Sequence, residues 1–145
     1  PWLHLSEHQV RLSDEEEILK VQLWPLLDAQ GFNPPWVREL ARELAIGDDQ
    51  VRVLLRKLAR LGELQQVVKD LFYTETSIRK LATILLEMER QTGVIQAATF
   101  RDHIQLGRKR SIQLLEHFDR IGLTRRFGNE RKIRPDSSLA SELAN

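Results

Sequence analysis

Arg108, Lys109 and Arg110 stand in a row, and Arg125, Arg126, Arg131, Lys132 and Arg134 follow shortly after them. At this density such residues do one kind of chemistry: they hold anions, above all a phosphate backbone. Guanidinium and amide groups, here the arginines and Asn129, also make paired bonds to base edges, and arginine stacks on exposed bases. Two local elements must position them. The stretch 107–122 reads as an amphipathic helix, because Ile112, Leu115 and Phe118 are spaced three apart with Leu114 and Ile121 beside them. Cations in its first turn oppose the positive end of the helix dipole and cost stability. A helix that starts this way suits an anion in front of it, which its free backbone N–H groups help to bind. Residues 124–127 and 130–133 alternate in character around Gly128-Asn129, the pattern of a hairpin. A basic helix start followed by a basic ribbon is the layout of a winged helix that grips nucleic acid.

Phosphate contacts select no sequence. Base reading therefore falls to Arg125, Arg126 and Asn129, with Ser111 and Gln113 near the helix start as secondary candidates. Arg108, Lys109 and Arg110 stand where a winged helix meets a phosphate backbone, and Arg131 and Lys132 in the wing are further nucleic-acid-binding candidates. Thr99 and Arg101 open the preceding helix and could touch backbone too, although a plain N-cap explains Thr99 equally well. Phe127 either stacks on a base or packs under the hairpin. A lone basic triplet is usually solvated charge; two basic clusters at the two docking points of one motif favour function. His103 and His117 read as packed or surface residues, His4 and His8 as solvent-exposed ones, and Trp2, Trp24, Trp36, Phe72 and Tyr73 as core.

Composition removes other classes. The 145 residues include no cysteine, which excludes disulfide scaffolds, thiolate zinc sites and cysteine nucleophiles and is compatible with a reducing cytosol. No apolar run approaches a membrane span. No nucleophile–base pair, metal cluster or phosphate loop appears, so catalysis and bound cofactors are not expected. Net charge is +1, but its distribution is uneven. Residues 1–73 hold nine basic against twelve acidic side chains, net −3; residues 74–145 hold thirteen against nine, net +4. That asymmetry confines a nucleic-acid surface to the second half.

The spacing predicts a mainly α chain with small β-wings, two winged helices in tandem. Residues 1–12 resemble a ribbon left from a preceding domain. Ser13 to Glu16 form a capping box opening a helix to about residue 30, with Ile18, Val21 or Gln22, Leu23, Leu26 and Leu27 as its apolar side and Pro25 bending it or shifting its end. Pro34-Pro35 starts a helix over 36–44. Asp48 or Asp49 caps another over 50–61, and 63–72 is a hairpin around Lys69-Asp70. The domain spans 13–73. A second, over 74–135, repeats it: a helix to about residue 91, a short helix to 105, then the basic helix and ribbon. Adding sixty carries Leu40 to Phe100, Gly47 to Gly107, Leu54 to Leu114, Leu58 to Phe118 and Gly62 to Gly122, an internal duplication. Residues 136–145 form a polar tail, either a loosely held helical turn or disordered.

The duplication is its own control. Asp48-Asp49-Gln50 opens a helix in the first copy where Arg108-Lys109-Arg110 opens it in the second, and Gln65-Gln66-Val67 stands where Arg125-Arg126-Phe127 stands. Nucleic-acid binding is thereby assigned to the second copy, and a spacer or protein-contact role to the first. A duplex-DNA-binding regulator and a protein-interaction module are the competing readings.

The segment 99–133 closely resembles the C-terminal end of the bacterial selenocysteine-specific elongation factors, and the resemblance extends from the opening ribbon to Pro135. It implies the last two of four winged helices, behind a GTPase body absent here. No Gly-x-x-x-x-Gly-Lys-Ser/Thr occurs in this chain, consistent with that. It further implies that the final winged helix grips the apical loop of an mRNA hairpin, the selenocysteine insertion element that directs UGA recoding. The RNA-facing positions would be Arg108, Lys109, Arg110, Ser111, Arg125, Arg126, Asn129 and their neighbours. The first winged helix would be an arm with a possible ribosome contact. A cytoplasmic monomer with no membrane partner is expected.

Overall fold

The computed structural model describes residues 10–28 and 32–144. The chain divides into two compact units between Glu75 and Thr76. The expected opening ribbon falls mostly on residues 1–9, outside the described residues; residues 10–12 carry no regular structure, and Leu12 packs against the first core.

In the first unit, helix α1 (Asp14–Asp28) opens on a capping box. The Ser13 N–H donates to Glu16 Oε1 at 2.9 Å and the Glu16 N–H to Ser13 Oγ at 3.1 Å. Burial works against the Glu16 carboxylate, yet Lys57, 2.8 Å away, and Ser13 outweigh it and hold its pKa below the usual range. The inward stripe is Leu19, Leu23 and Leu27, one residue every four, while Ile18 and Val21 are 62% and 73% exposed. The expected apolar side was therefore rotated, because a buried stripe one residue wide needs only the i, i+4 positions. The helix continues through Pro25 to Asp28.

Helix α2 (Val37–Leu44) and helix α3 (Asp48–Arg60) make the helix-turn-helix. The turn passes through Ala45 in the left-handed region, with the Ile46 N–H on the Ala41 carbonyl. Gly47, not Asp48 or Asp49, is the N-cap of α3; the two aspartates lie inside its first turn, where their charge suits the dipole. Strands β1 (Leu64–Val68) and β2 (Leu71–Thr74) form an antiparallel wing with an irregularity between Gln66 and Val68. Leu54, Leu55, Leu58, Leu64 and Phe72 join the α1 leucines in one core. The Tyr73 hydroxyl donates to the Phe32 carbonyl at 2.6 Å.

All but the first residue of helix α4 (Glu75–Thr92) belongs to the second unit; the helix buries Ile78, Leu81, Ala82 and Leu85 and leaves Met88 half-buried. Strand β3 (Ile95–Gln96), helix α5 (Ala97–Ile104), helix α6 (Arg108–Arg120) and strands β4 (Thr124–Phe127) and β5 (Glu130–Ile133) complete the winged helix. The sheet order is β3-β5-β4, with Ile95 opposite Arg131. The third strand is absent from the sequence reading because two residues show no alternation. Sixty residues earlier the first unit has Pro35-Trp36 where β3 stands. Proline donates no hydrogen bond and the Trp36 N–H goes to Glu39 Oε1 at 2.9 Å, while the Val37 N–H reaches across to the Asp70 carbonyl at 3.0 Å.

The tail resolves to its ordered alternative. Helix α7 (Ser138–Ala144) is capped by Ser137, whose buried hydroxyl accepts the Ala140 N–H at 3.0 Å. Such a cap contributes about 1 kcal/mol. Glu142 reaches Arg79 of α4 at 3.2 Å.

Candidate nucleic-acid interface

Helix α6 starts at Arg108 behind Gly107, with no side-chain cap and no acid in its first turn. Arg108 and Lys109 are exposed and Arg110 half-buried. Neither Arg108 nor Lys109 forms an ion pair among the described residues. Ser111 departs from the expectation of an outward-facing contact: it is buried, and its hydroxyl donates to the Gly107 carbonyl at 2.9 Å. Thr99 is exposed but sits within α5, whose N-cap is Gln96, so the capping role assigned to it falls away. Arg101, one turn on, lies 3.6 Å from Asp102.

These elements enclose a groove of about 500 Å³ between the starts of α5 and α6 and the wing. Gln96, Arg101, Arg108, Arg126, Asn129 and Glu130 supply its polar walls, Ala97, Ala98 and Ile112 apolar surface, and the buried Ser111 and Arg131 part of its floor. Arg126 is oriented by its own turn: Nε donates to the Gly128 carbonyl at 2.8 Å, and Gly128 takes a φ of 61° that favours glycine.

The wing distributes the other predicted residues over two faces. Residues directly opposite across a ladder share a face. Arg126 pairs with Arg131, and Arg125 with Lys132. Arg125, Phe127 and Lys132 are exposed and line no part of the groove. The Arg125 guanidinium lies 5.5 Å from the centre of the Phe127 ring, which is 52% exposed rather than packed under the hairpin. Arg131 was expected among the surface cations. It is 5% exposed, and its Nε and guanidinium terminus hold the Asp119 carboxylate at 3.1–3.2 Å. Asp119 also accepts the Thr124 hydroxyl at 2.6 Å. Strand alternation turns Arg131 inward, and α6 presents a carboxylate to meet it. Asp119 went unassigned in the sequence, where nothing marks its distance to Arg131.

The first unit treats the same place differently. Arg52 on α3 donates from Nε and its terminus to both oxygens of Asp70 in the wing turn, at 2.8 and 3.0 Å, and also bonds Asp49. The hydrogen bond from Arg52 holds the Asp70 carboxylate below its usual pKa range, and Asp70 in turn raises that of the guanidinium. The helix is thus tied to the wing across the cleft.

Of the histidines, His103 is exposed, and His117 is buried edge-on to Phe118, with burial foremost and then the Arg120 charge pushing its pKa down to about 4. His4 and His8 lie outside the described residues. No group of acidic or histidine side chains among the described residues is placed to hold a metal ion, and none of the described helices is long and apolar enough to cross a membrane.

Two family models match this chain. Residues 12–73 match the winged-helix domain of the selenocysteine-specific elongation factor, and 87–133 the winged helix of elongation factor SelB. Over 133 residues, 92% of this chain, it is 39% identical to the selenocysteine-specific elongation factor of Escherichia coli and 32% to that of Haemophilus influenzae. The chain spans 21% and 22% of the length of those two relatives. The solved mRNA-binding domain of SelB from E. coli, in complex with SECIS RNA, superposes with a TM-score of 0.78 at 38% identity, over 85% of this chain and 99% of that one.

Proposed function

The chain belongs to the selenocysteine-specific elongation factor family, whose winged-helix domains it carries, and from that premise we propose that its second unit binds an mRNA hairpin of the selenocysteine insertion type. One observation carries the reading. The groove between helix start, preceding helix and wing is open in the second unit and lined by Arg101, Arg108, Arg126 and Arg131 against a single acid, Glu130, whereas Arg52 and Asp70 bridge its counterpart in the first. Arg108 and Lys109 supply backbone contact with Arg101 and Arg110 beside them, and Arg126 and Asn129 reach a base displayed in the groove. Arg125, Phe127 and Lys132 offer a stacking and phosphate surface on the wing's other face. An A-form stem admits no recognition helix to its deep major groove, so α6 would meet backbone by its N-terminus while unstacked loop bases enter the groove. The parent factor would use this grip to direct UGA recoding with a GTPase body, and the first unit would serve as an arm toward the ribosome. The chain would act as a monomer in the cytoplasm, without a cofactor or enzymatic step of its own.

The test is titration of the intact chain with a labelled insertion-element hairpin, the same stem with a scrambled loop, and duplex DNA, at two salt concentrations. Arg126→Ala should cost about 1–3 kcal/mol on the cognate loop and relax selectivity, and Arg125→Ala should do likewise if it also reads a base. Lys109→Ala should weaken both hairpins alike and reduce the salt slope by somewhat under one unit. Equal losses on both loops for every arginine variant would remove base reading. Tighter binding to the duplex would favour a DNA-binding regulator.

A further inference from the structure

Asp119, Thr124 and Arg131 form a polar cluster where α6 meets the wing; Arg131 lies in the floor of the groove, but its Nε and guanidinium terminus are already engaged by the half-buried Asp119 carboxylate. Arg131 is 5% exposed and Thr124 2%. The three distances between Arg131 and Asp119 lie between 3.1 and 3.2 Å, and the Thr124 hydroxyl is 2.6 Å from the same carboxylate. The first unit shows what the fold needs at these positions. Along the helix and β1 the offset of sixty places Ala59 and Leu64 there; on the return strand the irregularity at Gln66/Val68 changes the offset by one, so Phe72 matches Arg131. All three are core residues or pack against that core. A winged helix of this family therefore closes with an apolar set at this site. An ion pair buried on its arginine side and half-buried on its carboxylate side offers little net stability over such a set, but its hydrogen bonds have fixed directions.

Arg131 stands directly opposite Arg126 in the ladder, and Thr124 lies two residues before it on the same strand and face. Pinning Arg131 of β5 and Thr124 of β4 to one carboxylate fixes both strands of the wing, and with them Arg126, against α6, which carries Arg108. We propose that Asp119 and Arg131 are positioning residues for RNA recognition: they set the wing at the angle and register that bring Arg126 and Asn129 to the groove, and they touch no RNA themselves. This rests on the reading of the groove as the RNA site.

The sign of the effect separates positioning from simple charge. Removing an acid from an RNA-binding surface should strengthen binding to every hairpin; removing a positioning acid should weaken the cognate one. Asp119→Asn, in the intact chain, keeps the shape and an acceptor for Thr124 while removing the charge that holds Arg131. Cognate affinity should fall about tenfold, the weight of one base-reading contact. Scrambled-loop affinity and the salt slope should stay within error. The triple variant Asp119→Ala/Thr124→Leu/Arg131→Phe installs the first unit's apolar set and guards against simple unfolding, which a thermal melt checks. It should fold and still discriminate poorly. Native discrimination by the folded triple variant, or tighter binding of both hairpins by Asp119→Asn, would overturn the inference. A salt slope lowered by Arg131→Gln would do the same, since it would make Arg131 a phosphate contact. A wild-type chain that fails to discriminate the hairpins would instead overturn the site reading on which all of this rests.

Discussion

Position 49 of the first winged helix is an aspartate and its counterpart at 109 is a lysine; Arg52 becomes Ile112, and Asp70 in the wing turn becomes Asn129. In the first unit these residues satisfy one another, tying helix to wing across the cleft. In the second no such tie crosses the cleft among the described residues, and Arg101, Arg108 and Arg126 line an open groove. Beneath the wing the pattern inverts, for there the first unit is apolar and the second is ionic. The pair teaches that the fold requires a filled interior and a tied hairpin but is indifferent to which interactions supply them. The proposed binding groove lies in the unit where the ties move inward and the surface charges are released.

The claim of a shared scaffold is the part with the largest energies and the easiest to break. Leu58 and Phe118 are both fully buried at matching positions of α3 and α6. Phe118→Ala should destabilise the second unit by about 3–5 kcal/mol and Leu58→Ala the first by about 2–5 kcal/mol, read by denaturant unfolding. RNA binding should suffer with Phe118→Ala. A cost well under 1 kcal/mol at either site would mean that the two positions are not equivalent core positions.

The neighbouring position sharpens the comparison by pH. Lys57 of the first unit pairs with Glu16, while its counterpart, His117, is buried. Burial first, then the Arg120 charge, holds the His117 imidazole at about 4 rather than 6.5. A depressed pKa means that the unfolded chain takes up a proton which the folded chain refuses. The stabilising contribution is therefore complete above the ordinary histidine value and is lost as pH falls toward 4. Its span is about 3 kcal/mol as an order of magnitude. Unfolding at pH 7 and at pH 4.5 should show a smaller difference for His117→Gln than for wild type; an unchanged difference would place the acid sensitivity elsewhere.

How much of this could be read in advance depended on whether a feature is local. Helix α6, the wing strands and the turn at Gly128 came from apolar spacing and a turn signal, and the structure places them at the expected residues. The capping box at Ser13 is likewise a four-residue pattern. What failed was decided by partners distant in sequence. Arg131 reads as a surface cation until Asp119, twelve residues away, is brought against it. Ser111 reads as a surface hydroxyl until the helix turns it onto Gly107. The face of α1 was misjudged because Ile18 and Val21 are apolar yet exposed, and sequence alone does not say which of two adjoining stripes finds a core. Arg52 and Asp70 were both visible; their pairing across the cleft was not, and it is the feature that distinguishes the two units most directly.

That pairing also supplies the finest test of the comparison. If charge commitment, rather than shape, is what keeps the first unit from binding, then releasing Arg52 should confer some affinity. Asp49→Asn/Asp70→Asn removes both carboxylates that hold it and gives the wing turn the amide that the second unit has at Asn129. The variant should bind scrambled hairpins slightly better than wild type, with a salt slope steeper by up to about one unit and no gain in selectivity, since no base-reading residue has been added. Stability should respond in the opposite direction. The Asp70 carboxylate is held below its usual pKa range by the Arg52 hydrogen bond. The pair therefore supports the fold at neutral pH and is lost only as pH falls through the acid range; the variant should be weaker at pH 7 and flatter toward acid. An unchanged salt slope alongside that stability change would mean that the first cleft is closed by its shape, and that the difference between the two units lies in the backbone, at Pro34-Pro35 and the irregular strand, rather than in their charges.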